Sequence, residues 1–196
     1  MTLFDGQTYI EMLDLLFDNG YQIDDLSSSI SLDNIVKSGK IELLGYLFDK
    51  GFNVESIYNN FSLLESACLW RNAEAVKCLL AHGADPNGKD VAGEPLENAV
   101  EEGSYDIVKL LIDYGADVNT IPTYSDGSMA DSPLMIAARK GYYDIVKILL
   151  DNGAQIVYES KKAATSPLSF MPPRVKISWH CFWIRRLMLI TRLISG

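Results

Sequence analysis

Few side chains in this sequence of 196 residues could do chemistry, and their spacing does not assemble a site. The chain has two histidines, His82 and His180, so a histidine-based triad or a metal cluster lacks the residues it needs. Glu101 and Glu102 are adjacent in a polar segment, which favours a solvated surface over paired catalytic carboxylates. The sequence also contains no glycine-rich phosphate motif. We therefore predict no enzyme activity, no catalytic residues, no cofactor and no metal.

His82 and the three cysteines have structural interpretations. His82 directly precedes Gly83 at the end of a helical pattern, where a cationic side chain suits the helix dipole. Cys68, Cys78 and Cys181 lie in apolar helical patterns and are too few for a disulfide framework. We expect buried thiols, and the alternative is that Cys68 or Cys78 binds a metal or acts as a nucleophile.

The segments that would position these residues recur with a regular period. Five similar segments end at Gly20, Gly51, Gly83, Gly115 and Gly153, at intervals of 31, 32, 32 and 38 residues. Each has apolar residues at helical spacing, as in YDIVKLLIDYG, and its glycine can end a helix in the left-handed conformation. A shorter helical segment, such as PLENAVEEGS, precedes each of the last four. The predicted unit is therefore a helix, a tight turn, a second helix, a glycine stop and an irregular finger.

The openings and closings of these units point to a known family. SPLMIA (132–137) and EPLENA (94–99) look like degenerate openings, and GADPN and GADVN are matching closing segments. In period, opening and closing, residues 8–170 resemble the ankyrin repeat family. The resemblance implies an all-α, ankyrin-repeat solenoid of stacked helix–turn–helix units with short β-turn fingers. Met135 and Glu97 replace the histidine of the family opening, so we expect weaker hydrogen bonding at the helix starts.

The period divides the chain into a cap, four repeats and a remainder. We predict an N-terminal half-repeat at 1–24, repeats at 25–58, 59–91, 92–121 and 122–160, the start of a fifth repeat at 161–171 and a non-repeat tail at 172–196. Glu11, Asp14 and Asp18 would give the cap helix a polar outer face. Stacking should bury one apolar strip made of Leu13, Leu44, Val76, Val108 and Val146.

The resemblance implies that a concave surface of fingers and first helices binds another protein. The partner itself is unknown, and we expect the chain to be a monomer. Residues 119–131 form an enlarged finger, which accounts for the interval of 38 residues. This finger is either a contact loop or a neutral insertion. The candidate partner-binding residues are Asp90, Asn119, Ile121, Tyr124, Asp126 and Met129.

The charged residues of the chain indicate which class of partner and which cellular compartment to expect. The net charge of -9 disfavours nucleic acid, whose binding depends on neutralising phosphates. Asp5 and Glu11 stand where a secretory signal would be apolar, so we expect an intracellular, cytoplasmic protein. Delivery into a host cell by a route without a cleavable signal is an alternative.

The tail has the opposite charge. All 26 acidic residues precede residue 161, whereas seven of the 17 Lys and Arg residues lie in residues 161–196. One interpretation makes residues 177–194 a membrane-surface helix that tethers an adaptor, because Trp179 and Trp183 alternate with basic residues. The three arginines in this segment argue against a helix that spans the membrane. An unrelated partner-binding tail is a further alternative.

The interpretation we favour is that the tail is read out of frame. In the shifted frame, each codon consists of the third base of one codon and the first two bases of the next. From Lys176 onward, these shifted codons can encode D-I-V-A-L-L-L-D. The alanine across 179–180, two leucines and the last aspartate are forced by the genetic code. DIVKILLD occurs at 144–151. We predict that residues from about 171 onward come from a frameshift in a further ankyrin repeat. The alternative to a protein-interaction module is then a truncated, non-functional fragment of a longer ankyrin-repeat protein.

Overall fold

The computed structural model describes residues 6–22, 31–58, 61–88, 94–120 and 131–155. Within these ranges the chain forms nine helices and one short antiparallel strand pair. The elements are α1 (Gly6–Asp18), α2 (Leu32–Ser38), α3 (Ile41–Asp49), β1 (Ile57–Tyr58), β2 (Phe61–Ser62), α4 (Leu63–Leu69), α5 (Ala73–Ala81), α6 (Pro95–Glu101), α7 (Tyr105–Asp113), α8 (Pro133–Lys140) and α9 (Tyr143–Asp151). The predicted all-α architecture is confirmed. The repeat boundaries stay predictions.

The helix pairs stack side by side. The first helices of successive pairs (α2, α4, α6 and α8) pack against one another, and so do the second helices (α3, α5, α7 and α9). We call the first set the inner helices and the second set the outer helices. The lone helix α1 packs on α3, as expected of a cap. All five residues of the predicted apolar strip are buried, so the core runs along the whole stack.

The helix starts differ between repeats. At α4, the side chain of Ser62 accepts a hydrogen bond from the backbone of Glu65, and the Glu65 carboxylate accepts one from the backbone of Ser62. This reciprocal capping box satisfies two backbone donors. The expected weakness is absent here because Glu65, at the position of the family histidine, takes part in the cap. At α6, by contrast, the N-cap residue Glu94 makes no side-chain capping bond.

Left-handed residues end the helices as predicted. Gly51, Gly83, Gly115 and Gly153 all have positive φ angles, and each follows the C-cap residue of an outer helix. The turns inside the pairs also need this conformation, with glycines at positions 39, 103 and 141. The corresponding residue between α4 and α5 is Arg71, whose φ is 54°. A side chain in this region costs conformational energy that glycine avoids.

Two expectations about acidic side chains were only partly right. Asp14 does not lie on an outer polar face, because it accepts a hydrogen bond from the Tyr46 hydroxyl of α3 and is 3.6 Å from Lys50 Nζ. Glu11 and Asp18 are exposed, as expected, but the exposed surface of α1 also carries Met12 and Leu15, which are 48% and 64% exposed. In both cases the neighbouring repeat supplies a partner for a carboxylate that stays partly exposed.

The second of these expectations concerns Glu101. Its carboxylate is not freely solvated, since Arg139 Nη2 approaches Oε1 to 3.1 Å and Lys140 bonds to the same carboxylate. Glu102 is exposed, as predicted. The tail at 172–196 lies outside the described residues. In the described part of the chain, no helix has the length and apolar character needed to cross a membrane.

Candidate functional site

Hydrogen bonds tie each finger to the next and fix the spacing of the inner face. In each bond a backbone N–H of one finger donates to a side-chain oxygen of the preceding finger. The bonds run from Asp85 to Glu55 Oε1 (2.8 Å), from Asp117 to Asn87 Oδ1 (2.7 Å) and from Gln155 to Asn119 Oδ1 (2.7 Å). The three acceptors are 32 residues apart, which is the interval of the repeat. We call this series of hydrogen bonds the finger ladder.

Asn119 is the one candidate partner-binding residue that lies in the described ranges. Besides accepting from Gln155, its Nδ2 donates to the Gly153 carbonyl at 3.2 Å, so its side chain binds the next finger. A role in partner binding stays a prediction for Asn119. The other candidates, which lie outside the described residues, are Asp90, Ile121, Tyr124, Asp126 and Met129.

The finger side of the inner face is acidic. We define it as the described fingers and the first turns that follow them: residues 31–35, 52–58, 61–66, 84–88, 94–98, 116–120, 131–136 and 154–155. These ranges hold eight acidic residues and no Lys, Arg or His. The acidic residues are Asp33, Glu55, Glu65, Asp85, Glu94, Glu97, Asp117 and Asp131. The basic residues of the inner helices lie towards their C-terminal ends.

Two of these carboxylates are crowded together at the start of α6. Burial raises the pKa of Glu97 above its ordinary value, and the nearby carboxylates of Glu94, Glu101 and Asp131 raise it further. Burial is also the main cause that raises the pKa of Glu94; Asp117 adds to it, and a hydrogen bond from Thr120 opposes it. Within the described residues, Glu94 Oε2 is buried without a hydrogen-bond partner. Among the described residues, no basic side chain forms an ion pair with either carboxylate.

An apolar pair interrupts the polar surface at the end of α4. Leu69 and Trp70 are 36% and 51% exposed. The corresponding pairs in the other repeats are polar, namely Lys37–Ser38, Glu101–Glu102 and Arg139–Lys140. Lys37 Nζ lies 4.1 Å from the centroid of the Trp70 ring, a cation–π contact. This pair was not predicted from the sequence, although its difference from the polar pairs of the other repeats is visible there.

Asp49, Cys78 and His82 are close together, which sequence analysis did not predict beyond the helix-end position of His82. His82 Nδ1 is 2.7 Å from the Cys78 carbonyl oxygen and 3.7 Å from its sulfur, and Nε2 is 3.4 Å from Asp49. Burial raises the pKa of the Cys78 thiol, as does the charge of Asp49. A protonated thiol is a poor nucleophile. The contacts therefore support a structural role that links α3 to the end of α5.

The remaining chemistry-bearing groups are also structural in the described ranges. Cys68 is fully buried, and burial followed by the charge of Glu65 raises the pKa of its thiol. Among the described residues, no three metal-ligating side chains are grouped to hold an ion. His180 and Cys181 lie outside those residues. What the described surface offers is an acidic and partly apolar face for another molecule to contact.

Stacked helix pairs, a continuous core and bonded fingers define the chain as an α-helical repeat protein. A family model described as ankyrin repeats, in three copies, matches residues 32–122 and 93–160, which is more than half of the chain. The chain belongs to the ankyrin repeat family. Ankyrin repeats generally mediate protein–protein interaction and are generally not enzymes.

Two similar proteins agree with this assignment. The chain is 40% identical over 65 residues to the ankyrin repeat protein FPV219 of fowlpox virus (strain NVSL), which covers 33% of this chain and 15% of that protein. The crystal structure of the human ASB11 ankyrin repeat domain is similar with a TM-score of 0.55 and 31% identity, covering 66% of this chain and 57% of that one. The chain therefore matches only part of each relative, and their activities as whole proteins do not transfer to it.

Proposed function

We propose that this chain binds a partner protein through its inner face, made of the fingers and the exposed parts of the inner helices. The observation that carries the proposal is the exposed Leu69–Trp70 pair, at a position where the other repeats have polar residues. Exposed tryptophan contributes strongly to protein interfaces because it buries a large, rigid surface. Met135, 38% exposed in the first turn of the inner helix α8, is a second exposed apolar residue on this face.

The outer helices are the competing surface. They expose Tyr105, Tyr114 and Tyr143, at 40%, 45% and 50%. A tyrosine can keep its hydroxyl in water while its ring covers the helix, so its exposure needs no partner. Leucine has no polar group, and tryptophan has a single N–H, so exposure of Leu69 and Trp70 favours a partner more strongly. We therefore place the binding surface on the inner face.

Matched charge insertions on the two faces test this function. The full-length protein is immobilised and the proteins that it retains are compared among the wild type, Met135→Lys and Tyr143→Lys. The proposal expects a specific partner to bind the wild type and Tyr143→Lys equally and Met135→Lys at least tenfold more weakly, while all three unfold at similar denaturant concentrations. Loss of the partner from Tyr143→Lys alone would move the interface to the outer face and refute the proposal.

A second proposal is that the chain is a truncated fragment of a longer ankyrin protein. Its support is the alternative reading frame after Lys176, in which forced codons give the core of a helix like DIVKILLD. Sequencing the gene from codon 165 past the stop codon tests it. We expect that shifting the reading frame by one base near codon 171 gives an open frame that encodes further repeats. A stop codon soon after that change would count against it.

A further inference from the structure

We infer that the inner face of the second and third repeats docks a cationic segment that contains a large apolar side chain. This inference rests on the proposed function and specifies the chemistry of the partner. Lys or Arg side chains of the segment lie beside Glu94 and Glu97, and its apolar side chain lies on Leu69 and Trp70. Charge complementarity selects the occupant, since the finger side has eight acidic residues and no basic residue in its described ranges.

Acidic residues are common in the first turn of a helix, so each one needs a structural explanation first. Glu65 has that explanation, because it completes the capping box with Ser62. Glu94 and Glu97 occupy the corresponding positions of α6 and form no side-chain cap. They are also half-buried and repel each other. These two residues therefore destabilise the third repeat, and a serine such as Ser62 or Ser132 would cap the helix better.

Local cations do not compensate this charge in the described structure. Arg139 is 3.1 Å from Glu101 and 3.4 Å from Asp131, and Lys140 bonds to Glu101, so both basic side chains of α8 are already occupied. No ion pair to Glu94 or Glu97 forms among the described residues. A partner ammonium or guanidinium group would relieve the repulsion at the start of α6 and bind there as a charge-assisted pair.

The apolar and acidic parts are close enough for one short segment. Trp70 follows α4 directly, and Glu97 lies in the first turn of the adjacent helix α6. Packed helices are about 8–10 Å apart, and each residue adds about 1.5 Å along the axis, so the Cα atoms of the two residues are roughly 10–15 Å apart. About five residues of extended peptide span this distance. The partner segment therefore has its apolar side chain and its nearest basic side chain within about five residues.

Peptide binding to the full-length protein tests the inference. The probes are two mixtures of fluorescein-labelled dodecapeptides, one made of Lys, Arg, Leu, Phe and Ser and the other with Asp and Glu in place of Lys and Arg. The site variants are Trp70→Ser and the double variant Glu94→Ser/Glu97→Gln. The matched controls are Tyr114→Ser and Asp113→Asn/Asp151→Asn, which remove an exposed aromatic and the same amount of charge from the outer helices.

The inference expects the cationic mixture to bind the wild type more tightly than the acidic mixture. Each site variant should lose about tenfold in affinity, each control less than twofold, and added salt should weaken the binding. Equal loss in the charge controls would mean diffuse attraction to an acidic protein and would overturn the inference. Preference for the acidic mixture, or no binding of either mixture, would overturn it as well.

The same variants separate this inference from the proposed function. A protein partner that is lost from Met135→Lys but binds Glu94→Ser/Glu97→Gln as tightly as the wild type leaves the inner-face function standing and refutes the cationic segment. Because Glu94→Ser introduces a better cap, that double variant should unfold at a higher denaturant concentration than the wild type. Lost binding in a more stable protein cannot be attributed to misfolding.

Discussion

Arg71 is the residue that departs most clearly from the repeat. It adopts a φ of 54° where the other three turns have glycine, and its Nε donates to Ser104 Oγ at 3.2 Å. A left-handed conformation costs a side chain about 1–2 kcal/mol, and the exposed hydrogen bond returns about 0.5–1 kcal/mol, so the residue is a net cost. Comparison of the four turns identifies the position, but sequence alone does not give the angle.

Arg71→Gly should raise the free energy of unfolding by about 0.5 kcal/mol, because relief of backbone strain exceeds the lost hydrogen bond. Arg71→Ala is the control, since alanine keeps the strain and loses the bond. Urea denaturation followed by far-UV circular dichroism measures both variants. If Arg71→Gly were no more stable than Arg71→Ala, strain at this turn would be excluded.

The raised pKa of Glu97 predicts how the free energy of unfolding depends on pH. Its pKa is raised in the folded protein above the ordinary value of 4.5, so the folded state binds its proton more tightly than the unfolded state does. Its contribution to stability therefore increases as pH falls from neutrality through the raised pKa, and it levels off below about 4.5. Glu97→Gln should be more stable than the wild type at pH 7 by about 0.5 kcal/mol, a small effect because the carboxyl is partly exposed.

The measurement is the difference in free energy of unfolding between Glu97→Gln and the wild type at pH 7 and at pH 5. This difference should shrink at the lower pH, because the wild-type carboxyl is then increasingly neutral. Both proteins have the ion pairs of Glu101, so the effect of pH on those pairs cancels in this difference. A difference that stays constant or grows on acidification would mean that the pKa is not raised.

At the scale of the elements, the finger ladder depends on side chains that reach the next repeat. Asn119 makes two such contacts, with Gln155 N and the Gly153 carbonyl, whereas Asn152 donates only to Ile148 of its own helix. Asn119→Ala should cost about 1–2 kcal/mol of unfolding free energy, and Asn152→Ala about 0.5 kcal/mol. Thermal unfolding of the two variants compares these values. Equal costs would show that the ladder adds nothing to the stacking of helices.

The elements themselves were predictable because their signals are local. Apolar spacing gave the helices, and Gly83 and Gly115 gave their ends. The capping box between Ser62 and Glu65 was missed because only the openings at 94–99 and 132–137 were compared with the family pattern. The Glu101–Arg139 pair was missed because its partners are 38 residues apart on adjacent inner helices. Contacts between repeats depend on the stacking register, which the sequence of a single unit does not contain.

At the scale of the whole molecule, a stack held by contacts between neighbours should respond locally to damage. Leu111 is fully buried in α7, so Leu111→Ala should cost about 2–5 kcal/mol. In native-state hydrogen exchange, amides of α6 to α9 should then exchange faster than those of α1 to α3. Leu110→Ala, on the half-buried side of the same helix, is the milder control. A uniform increase along the chain would indicate one cooperative unit.

The candidate site was less predictable than the fold. The family resemblance supplied the concave surface, but the candidate residues chosen from the long finger fall mostly outside the described structure. The acidic charge of the whole chain was evident, whereas its concentration around Glu94 and Glu97 required the packing of α6 against α8. Trp70 was overlooked because the repeats were not compared position by position, which shows polar residues at the corresponding positions.

The most direct test of the central claim, that a partner protein binds the inner face, is photo-crosslinking in cells. A photoreactive phenylalanine analogue is placed at position 70 on the inner face or at position 143 on an outer helix, both sites being exposed in the structure. Our account predicts that a discrete protein adduct forms from position 70 and not from position 143. An adduct that forms only from position 143, or none from either position, would contradict it.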